Sequence, residues 1–316
     1  MISRALALGL LLSAAAPRLA QATYSIAATD RTSRQVGGAV TSCVGTLDVG
    51  VVYGGVPGHG VVHAQASLDP AAKGKMKAIA MLMMDTDPAT IITTITATSF
   101  DAMSSARQYG IVDLAGRAAG FTGSGAAAYK NDQHKTAGAF TYSVQGNILT
   151  SQKVLDGAAA AFESAGCDLA DRLMAALLAG DRAGGDRRGR QSAALFVVKP
   201  QAGYGGFNDI WLDYRVDDDP DPVPRLVELL AIHRLYFGKS PADDQIPIAG
   251  EVATQLQRIM ASLGYYGGPV SGAYDETTRS ALIAFIGNEN FEDRTDFAAG
   301  QIDRPVFDYL LRKFGG

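Results

Sequence analysis

Strand pairs joined by short polar turns recur along most of this 316-residue chain, and they limit it to antiparallel sheets. Tyr24–Ala28 and Val36–Val44 flank a polar turn at Asp30–Arg34, and Gln108–Asp113 and Arg117–Thr122 flank a turn at Gly116. Further strands are predicted at Val61–Ala66, Phe140–Gln145, Ala193–Val198 and Asp209–Val216. Helical spacing covers Ala71–Met84 and Pro222–Phe237, and a long Ala- and Leu-rich helix capped by Thr150 or Ser151 runs to about Leu178. Asp87-Pro88 marks a further helix start, although the β-branched run Ile91–Thr96 reads equally well as strand. Hairpins interleaved with helices exclude the strict βαβ alternation of a dinucleotide-binding fold. They imply an α+β chain with helical layers outside antiparallel sheets.

The pattern changes at Gly238–Gln245, a polar stretch rich in helix breakers. Beyond it the chain reads as helices and turns only. One helix ends at Gly264, Asp275 caps a second carrying Leu282 and Phe285, and Pro305–Phe314 forms a third. The expected organisation is a leader at 1–22, a first domain at 23–238, a linker at 239–247 and a second domain at 248–316. Gly238-Lys239-Ser240 is no phosphate loop, because His233 stands where that loop requires its first glycine and the preceding segment is helical.

Residues 1–22 carry Arg4, an apolar run from Ala5 to Ala16, and a small-x-small end at Ala20-Gln21-Ala22. That order is a secretory signal, and its apolar run is far shorter than the roughly 20 residues of a membrane span. The expected product begins at Thr23 and is periplasmic or secreted, with no membrane span once the leader is removed. Export permits a Cys43–Cys167 disulfide, and two separate buried thiols fit the sequence equally well. His59 and His63 lie on a strand-like run, where residues four apart are about 13 Å from each other, so no metal site is expected. No cofactor fingerprint occurs. A formal net charge of −4 leaves no basic surface for nucleic acid, and the sequence is compatible with a homo-oligomer.

Thr23–Asp30, Arg107–Asp113, Gln145-Gly146-Asn147, Gly180-Asp181 with Gly185–Ala193, and Tyr204-Gly205-Gly206-Phe207 occur in the order of a known pattern. From Thr23 to about Phe237 the chain resembles the DUF1028 family, regarded as a branch of the N-terminal-nucleophile (Ntn) hydrolases. The resemblance implies a four-layer αββα sandwich. It also implies that Thr23, freed by signal cleavage, is the nucleophile of an amidohydrolase. An α-amino group with a pKa of about 7.7 to 8.0 can take the hydroxyl proton, so one residue supplies nucleophile and base.

Asn147 with the backbone of Gly146 is the oxyanion-hole candidate, or else a strand-end turn. Arg187 and Arg188 either clamp a substrate carboxylate or form a solvated loop paired with Asp181 and Asp186. Asp30 either holds the α-amine or closes the first turn. The segment from about Ile248 to Phe314 resembles a three-helix peptidoglycan-binding module, with Asn288-Glu289-Asn290 replacing the usual Gln-containing tail of the second helix. Its Tyr265-Tyr266 pair either stacks on a sugar or packs in the core. The combined expectation is an exported hydrolase of a C–N amide bond, held near peptidoglycan or its fragments. The alternatives are a non-catalytic wall-binding scaffold and a small-amide hydrolase without wall binding.

Overall fold

The computed structural model describes residues 23–45, 48–166, 168–238 and 240–315, so the expected leader at 1–22 and Cys167 lie outside the described residues. In chain order the elements are β1 (Thr23–Asp30), β2 (Gln35–Ser42), β3 (Tyr53–Val56), β4 (Gly60–Ala66), α1 (Lys73–Leu82), α2 (Pro88–Thr96), β5 (Arg107–Asp113) and β6 (Ala118–Thr122). Next come β7 (Asn131–Ala137), β8 (Phe140–Asn147), α3 (Lys153–Ser164), α4 (Leu169–Arg182), β9 (Ser192–Val198), β10 (Ile210–Val216) and α5 (Pro222–Phe237). The C-terminal elements are β11 (Gln245–Pro247), α6 (Glu251–Ser262), α7 (Glu276–Glu289), β12 (Thr295–Asp296), β13 (Gln301–Asp303) and α8 (Arg304–Phe314).

The chain divides into two compact units, one ending at Val223 and the other starting at Pro224. The first is the αββα sandwich. A six-stranded sheet of order β10-β9-β2-β1-β8-β7 faces a four-stranded sheet of order β3-β4-β5-β6, and every pairing is antiparallel. Helices α3 and α4 cover the large sheet, while α1 and α2 cover the small one. Strand β1 is central, and all eight of its residues are buried because both faces are covered.

Helix α2 resolves the ambiguous β-branched run in favour of helix. Asp87 accepts a hydrogen bond from the Ala89 N–H at 2.9 Å, Pro88 occupies the first turn, and Ile91 and Ile95 bury one face. The hydroxyls of Thr93, Thr94 and Thr96 donate to carbonyls four residues back. The single long helix expected from Thr150 to Leu178 is two, α3 and α4. Gly166 interrupts it at an entropic cost, and Asp168 caps α4 by accepting from the Asp171 N–H at 3.2 Å. Neither Thr150 nor Ser151 caps α3, whose N-cap position is Gln152. Strands β3 and β7 had no counterpart in the sequence reading. The polar strand β7 (NDQHKTA) lies at the edge of its sheet, so alternation gives no signal there.

In the second unit α6, α7 and α8 match the three expected helices. Its core contains Leu256, Met260, Leu282, Phe285, Phe291 and Leu310. The helix-only expectation is corrected by a small sheet of order β11-β13-β12, which takes Gln245–Pro247 out of the expected linker. Buried Gln257 fixes the Gly/Pro loop: its Oε1 accepts from the N–H groups of Ser271 and Gly272 at 3.0 and 2.9 Å. Tyr266 belongs to the core and donates its hydroxyl to Pro269 O at 2.9 Å, while Tyr265 is half-buried with its ring 5.6 Å from that of Phe285. Arg294 pairs with Asp303 and donates to the carbonyls of Arg234 and Leu235 at 2.7 and 2.6 Å, which satisfies the end of α5.

Candidate active site

Thr23 begins the central strand, and its neighbours are set by register: Ser42 on β2 at one side and Asn147 on β8 at the other. Strand alternation sends the Tyr24 side chain toward the helices, where its hydroxyl donates to Leu177 O at 2.6 Å. Thr23 and Ser25 therefore face the other sheet. Thr23 is 3% exposed, and its Oγ1 stands 3.4 Å from Ser42 Oγ.

Behind Thr23 lies a buried network of amides and hydroxyls. The Gln65 side-chain N–H group reaches Thr23 O at 3.1 Å and Gln108 Oε1 at 2.9 Å, while Gln65 Oε1 accepts from Ser25 Oγ at 2.6 Å. Gln145 donates to Ser25 Oγ at 2.6 Å and accepts from Ser143 Oγ at 2.8 Å. Gln108 donates to Gly146 O at 2.9 Å, and its Oε1 accepts from Asn147 Nδ2 at 3.2 Å. Such a layer is tolerated in a core only because its donors and acceptors meet one another. Asn147 is 1% exposed and uses one amide N–H on Gln108, which leaves its second N–H for another acceptor.

The segment from Asp181 to Arg190 reaches both neighbours of Thr23. Asp186 Oδ2 accepts from the N–H of Cys43, one residue beyond Ser42, at 3.3 Å. The Arg187 N–H donates to Ile148 O, one residue beyond Asn147, at 3.0 Å. Arg188 lies 3.4 Å from Asp186, and Arg190 pairs with Asp181 at 2.7 Å. The exposed Arg187 guanidinium has no partner among the described residues. Burial raises the Asp181 pKa, against the opposing pull of Arg190. Burial, reinforced by Asp186, likewise pushes the Cys43 thiol up to about 11, so this cysteine stays protonated at neutral pH and is a poor nucleophile.

Asp30 is not brought to this cluster. It stands at the opposite end of β1 and closes the first turn, accepting from Thr32 N at 2.9 Å and from Ser33 Oγ at 2.6 Å. His59 and His63 also diverge. His59 meets Asp85 at 2.8 Å, whereas His63 is fully buried between the sheets. No group of three or more metal-ligating side chains exists among the described residues. The residues that sequence reasoning missed are Gln65, Gln108 and Gln145. No local signal marks them, because the partner that a strand glutamine meets is set by the strand packed opposite.

The family model described as "Family of unknown function (DUF1028)" matches residues 23–226, and the one described as "Putative peptidoglycan binding domain" matches residues 236–310. A crystal structure of a DUF1028 protein from Silicibacter pomeroyi is similar in fold. It shares 27% identity with a TM-score of 0.57, over 73% of this chain and 92% of that one. No curated protein matches the chain. Among the described residues no helix is long and apolar enough to cross a membrane.

Proposed function

The chain belongs to the DUF1028 family, a family of unknown function, and from that premise we propose that it is an exported amidohydrolase whose nucleophile is Thr23. The observation that carries this reading is a coincidence of position. The family match and the expected product of signal cleavage begin at the same residue, a buried threonine on the central strand flanked by Ser42 and Asn147.

In the proposed cycle the α-amine of Thr23 takes the hydroxyl proton as Oγ1 attacks the amide carbonyl carbon. The carbonyl electron pair moves to oxygen, and the second N–H of Asn147 with the Gly146 backbone stabilises that charge. Collapse breaks the C–N bond, the proton passes to the leaving amine, and an ester remains on Thr23. Water then attacks the ester, the Oγ1–C bond breaks, and the carboxylic acid leaves. In this reading Arg187, whose backbone N–H donates to Ile148 O one residue beyond Asn147, holds an anionic group of the substrate.

The test is mass spectrometry of the exported protein after exposure to a β-lactone. The expected adduct lies on an N-terminal peptide that begins at Thr23 and is absent in Thr23→Ala. An adduct elsewhere, or unchanged amide turnover in Thr23→Ala, refutes the nucleophile.

The peptidoglycan-binding module supports a second reading, in which the sandwich is a scaffold and wall binding is the function. Under it, the full chain sediments with purified sacculi and neither it nor Thr23→Ala forms an adduct.

A further inference from the structure

A cavity of about 300 Å³ opens where β4 ends and β5 begins, beside the start of α1. Its walls are mainly apolar, among them Val51, Ala64 and Tyr109. Gln65 borders it at the same end of the strands as Thr23: Ala64 and Tyr109 face the α1 side, while the Gln65 side chain turns to the other face, where its Nε2 stands 3.1 Å from Thr23 O, so the cavity lies at the strand end that carries the proposed nucleophile.

Two cations line this space, and only one is neutralised. Arg107 binds Asp101 at 2.8 Å and donates to Ser67 O at 2.5 Å. Lys75 Nζ instead donates to two carbonyls, Val51 O at 2.6 Å and Tyr53 O at 3.4 Å, and no carboxylate among the described residues lies within ion-pair distance of it. Asp69 shares the wall, but its carboxylate accepts from the N–H groups of Ala71 and Lys73 at 3.0 and 2.9 Å. The nearby charge of Asp48 is engaged by Arg215 at 2.7 Å. An ammonium has three donors, so Lys75, part-buried at the cavity wall, keeps one for a ligand. Its partial burial lowers its pKa, the direction expected of a cation short of a counter-charge.

We propose that this cavity receives the acyl part of the substrate and that Lys75 binds a carboxylate at the far end of that acyl group. The substrates are then amides of aliphatic dicarboxylic acids. A single ammonium among apolar walls suits one carboxylate on a short methylene chain, whereas a phosphate would call for a denser set of donors. The catalytic half of this inference rests on Thr23 being the nucleophile, and the binding half does not.

The decisive experiment titrates succinate, glutarate and adipate, with neutral adipamide as control, into the protein beginning at Thr23 by calorimetry. Thr23→Ala, Lys75→Met and Lys75→Arg are measured alongside, with thermal melts confirming that each is folded. At least one dicarboxylate is expected to bind wild type and Thr23→Ala alike, at least tenfold more weakly to Lys75→Met, with recovery in Lys75→Arg and no binding of adipamide. Absence of dicarboxylate binding to wild type, or equal binding to Lys75→Met, overturns the cavity assignment. Dicarboxylate binding with no Thr23-dependent turnover of the matching anilides rejects the nucleophile and keeps the cavity. Thr23-dependent turnover that treats an ω-carboxyacyl anilide and its methyl ester equally does the reverse.

Discussion

The layer between the two sheets is built from two chemistries. At the Thr23 end it holds Ser25, Gln65, Gln108, Ser143, Gln145 and Asn147, joined by hydrogen bonds. Further along the same strands it holds Ala27, Val36, Val61, Val112, Phe196 and Val198, joined by contact alone. Three strands pass from one chemistry to the other on their inward faces: Thr23, Ser25, Ala27 on β1; Gln65, His63, Val61 on β4; and Gln108, Gly110, Val112 on β5. All of these side chains are buried, so depth does not separate the halves. Directionality does, because hydrogen bonds fix orientation where dispersion fixes only volume. The apolar half supplies cohesion, and the amide half holds Thr23 and Asn147 in register.

The largest effect should come from the apolar half. Phe196 stacks on Tyr53 at 3.9 Å between centroids and is 3% exposed, so Phe196→Ala should cost about 3 to 5 kcal/mol in urea unfolding. The folded fraction should still form the β-lactone adduct at Thr23. Gln65→Leu reverses that pattern. It removes the donor to Thr23 O, one of the two donors to Gln108 Oε1 and the acceptor of the Ser25 hydroxyl, a buried group left without its partner costing about 1 to 3 kcal/mol. A loss of about 3 kcal/mol is expected together with loss of adduct formation in folded protein. If both variants keep or both lose adduct formation, the division of labour between the halves is wrong.

His63 stands at the boundary and tests how dry it is. Its ring centroid is 6.2 Å from that of Phe196, both ring nitrogens lack a partner among the described residues, and a β-carbon on Gly38 would stand 2.1 Å from Nε2. Burial first, and then the Lys75 charge, lowers its pKa from 6.5 to about 3. The unfolded chain therefore binds more protons between pH 6.5 and 3, and stability falls as pH falls through that window. Between pH 6.5 and 5 the loss from this group alone should be about 2 kcal/mol. In His63→Leu that segment of the stability profile should flatten. An unchanged slope would mean that His63 is hydrated, and the boundary with it.

The two halves were unequally legible in the sequence. Apolar strands announce themselves, and Val61-Val62 or Ala193–Val198 read as strand without further help. A glutamine in a strand can face solvent or a buried partner, and the difference depends on which strand packs opposite, so the network of Gln65, Gln108 and Gln145 had no local signature. Asn147 and the segment around Asp186 could be singled out because family resemblance pointed to them, yet their convergence on Thr23 rests on sheet register. Asp30 shows the reverse case: its local turn chemistry was readable, and its hydrogen bonds to Thr32 and Ser33 use just that chemistry. Edge strand β7 and the short strands β11 to β13 were illegible because hydrophobic alternation needs more residues, or a drier face, than they offer.

The smallest expected effect is the most discriminating about how the amide half works. Ser143→Ala deletes one hydroxyl, whose Oγ donates to Gln145 Oε1 at 2.8 Å, and touches neither Thr23 nor Asn147. If each bond contributes only its own net value, the loss is about 1 kcal/mol and nothing else changes. Polarisation along the path from Ser143 through Gln145 and Ser25 to Gln65 would couple the loss to the far end. A double-mutant cycle of Ser143→Ala with Gln65→Leu separates the cases, since directly independent pairs add within about 0.5 kcal/mol. Coupling above that is expected, because Gly110 lets the facing sheet come so close that a β-carbon there would stand 2.0 Å from Gln145 Oε1. That approach leaves Gln145 little freedom to rotate toward a substitute partner. Strict additivity would reduce the amide half to a set of separate pairs, each satisfying its own burial and none holding Thr23 in place.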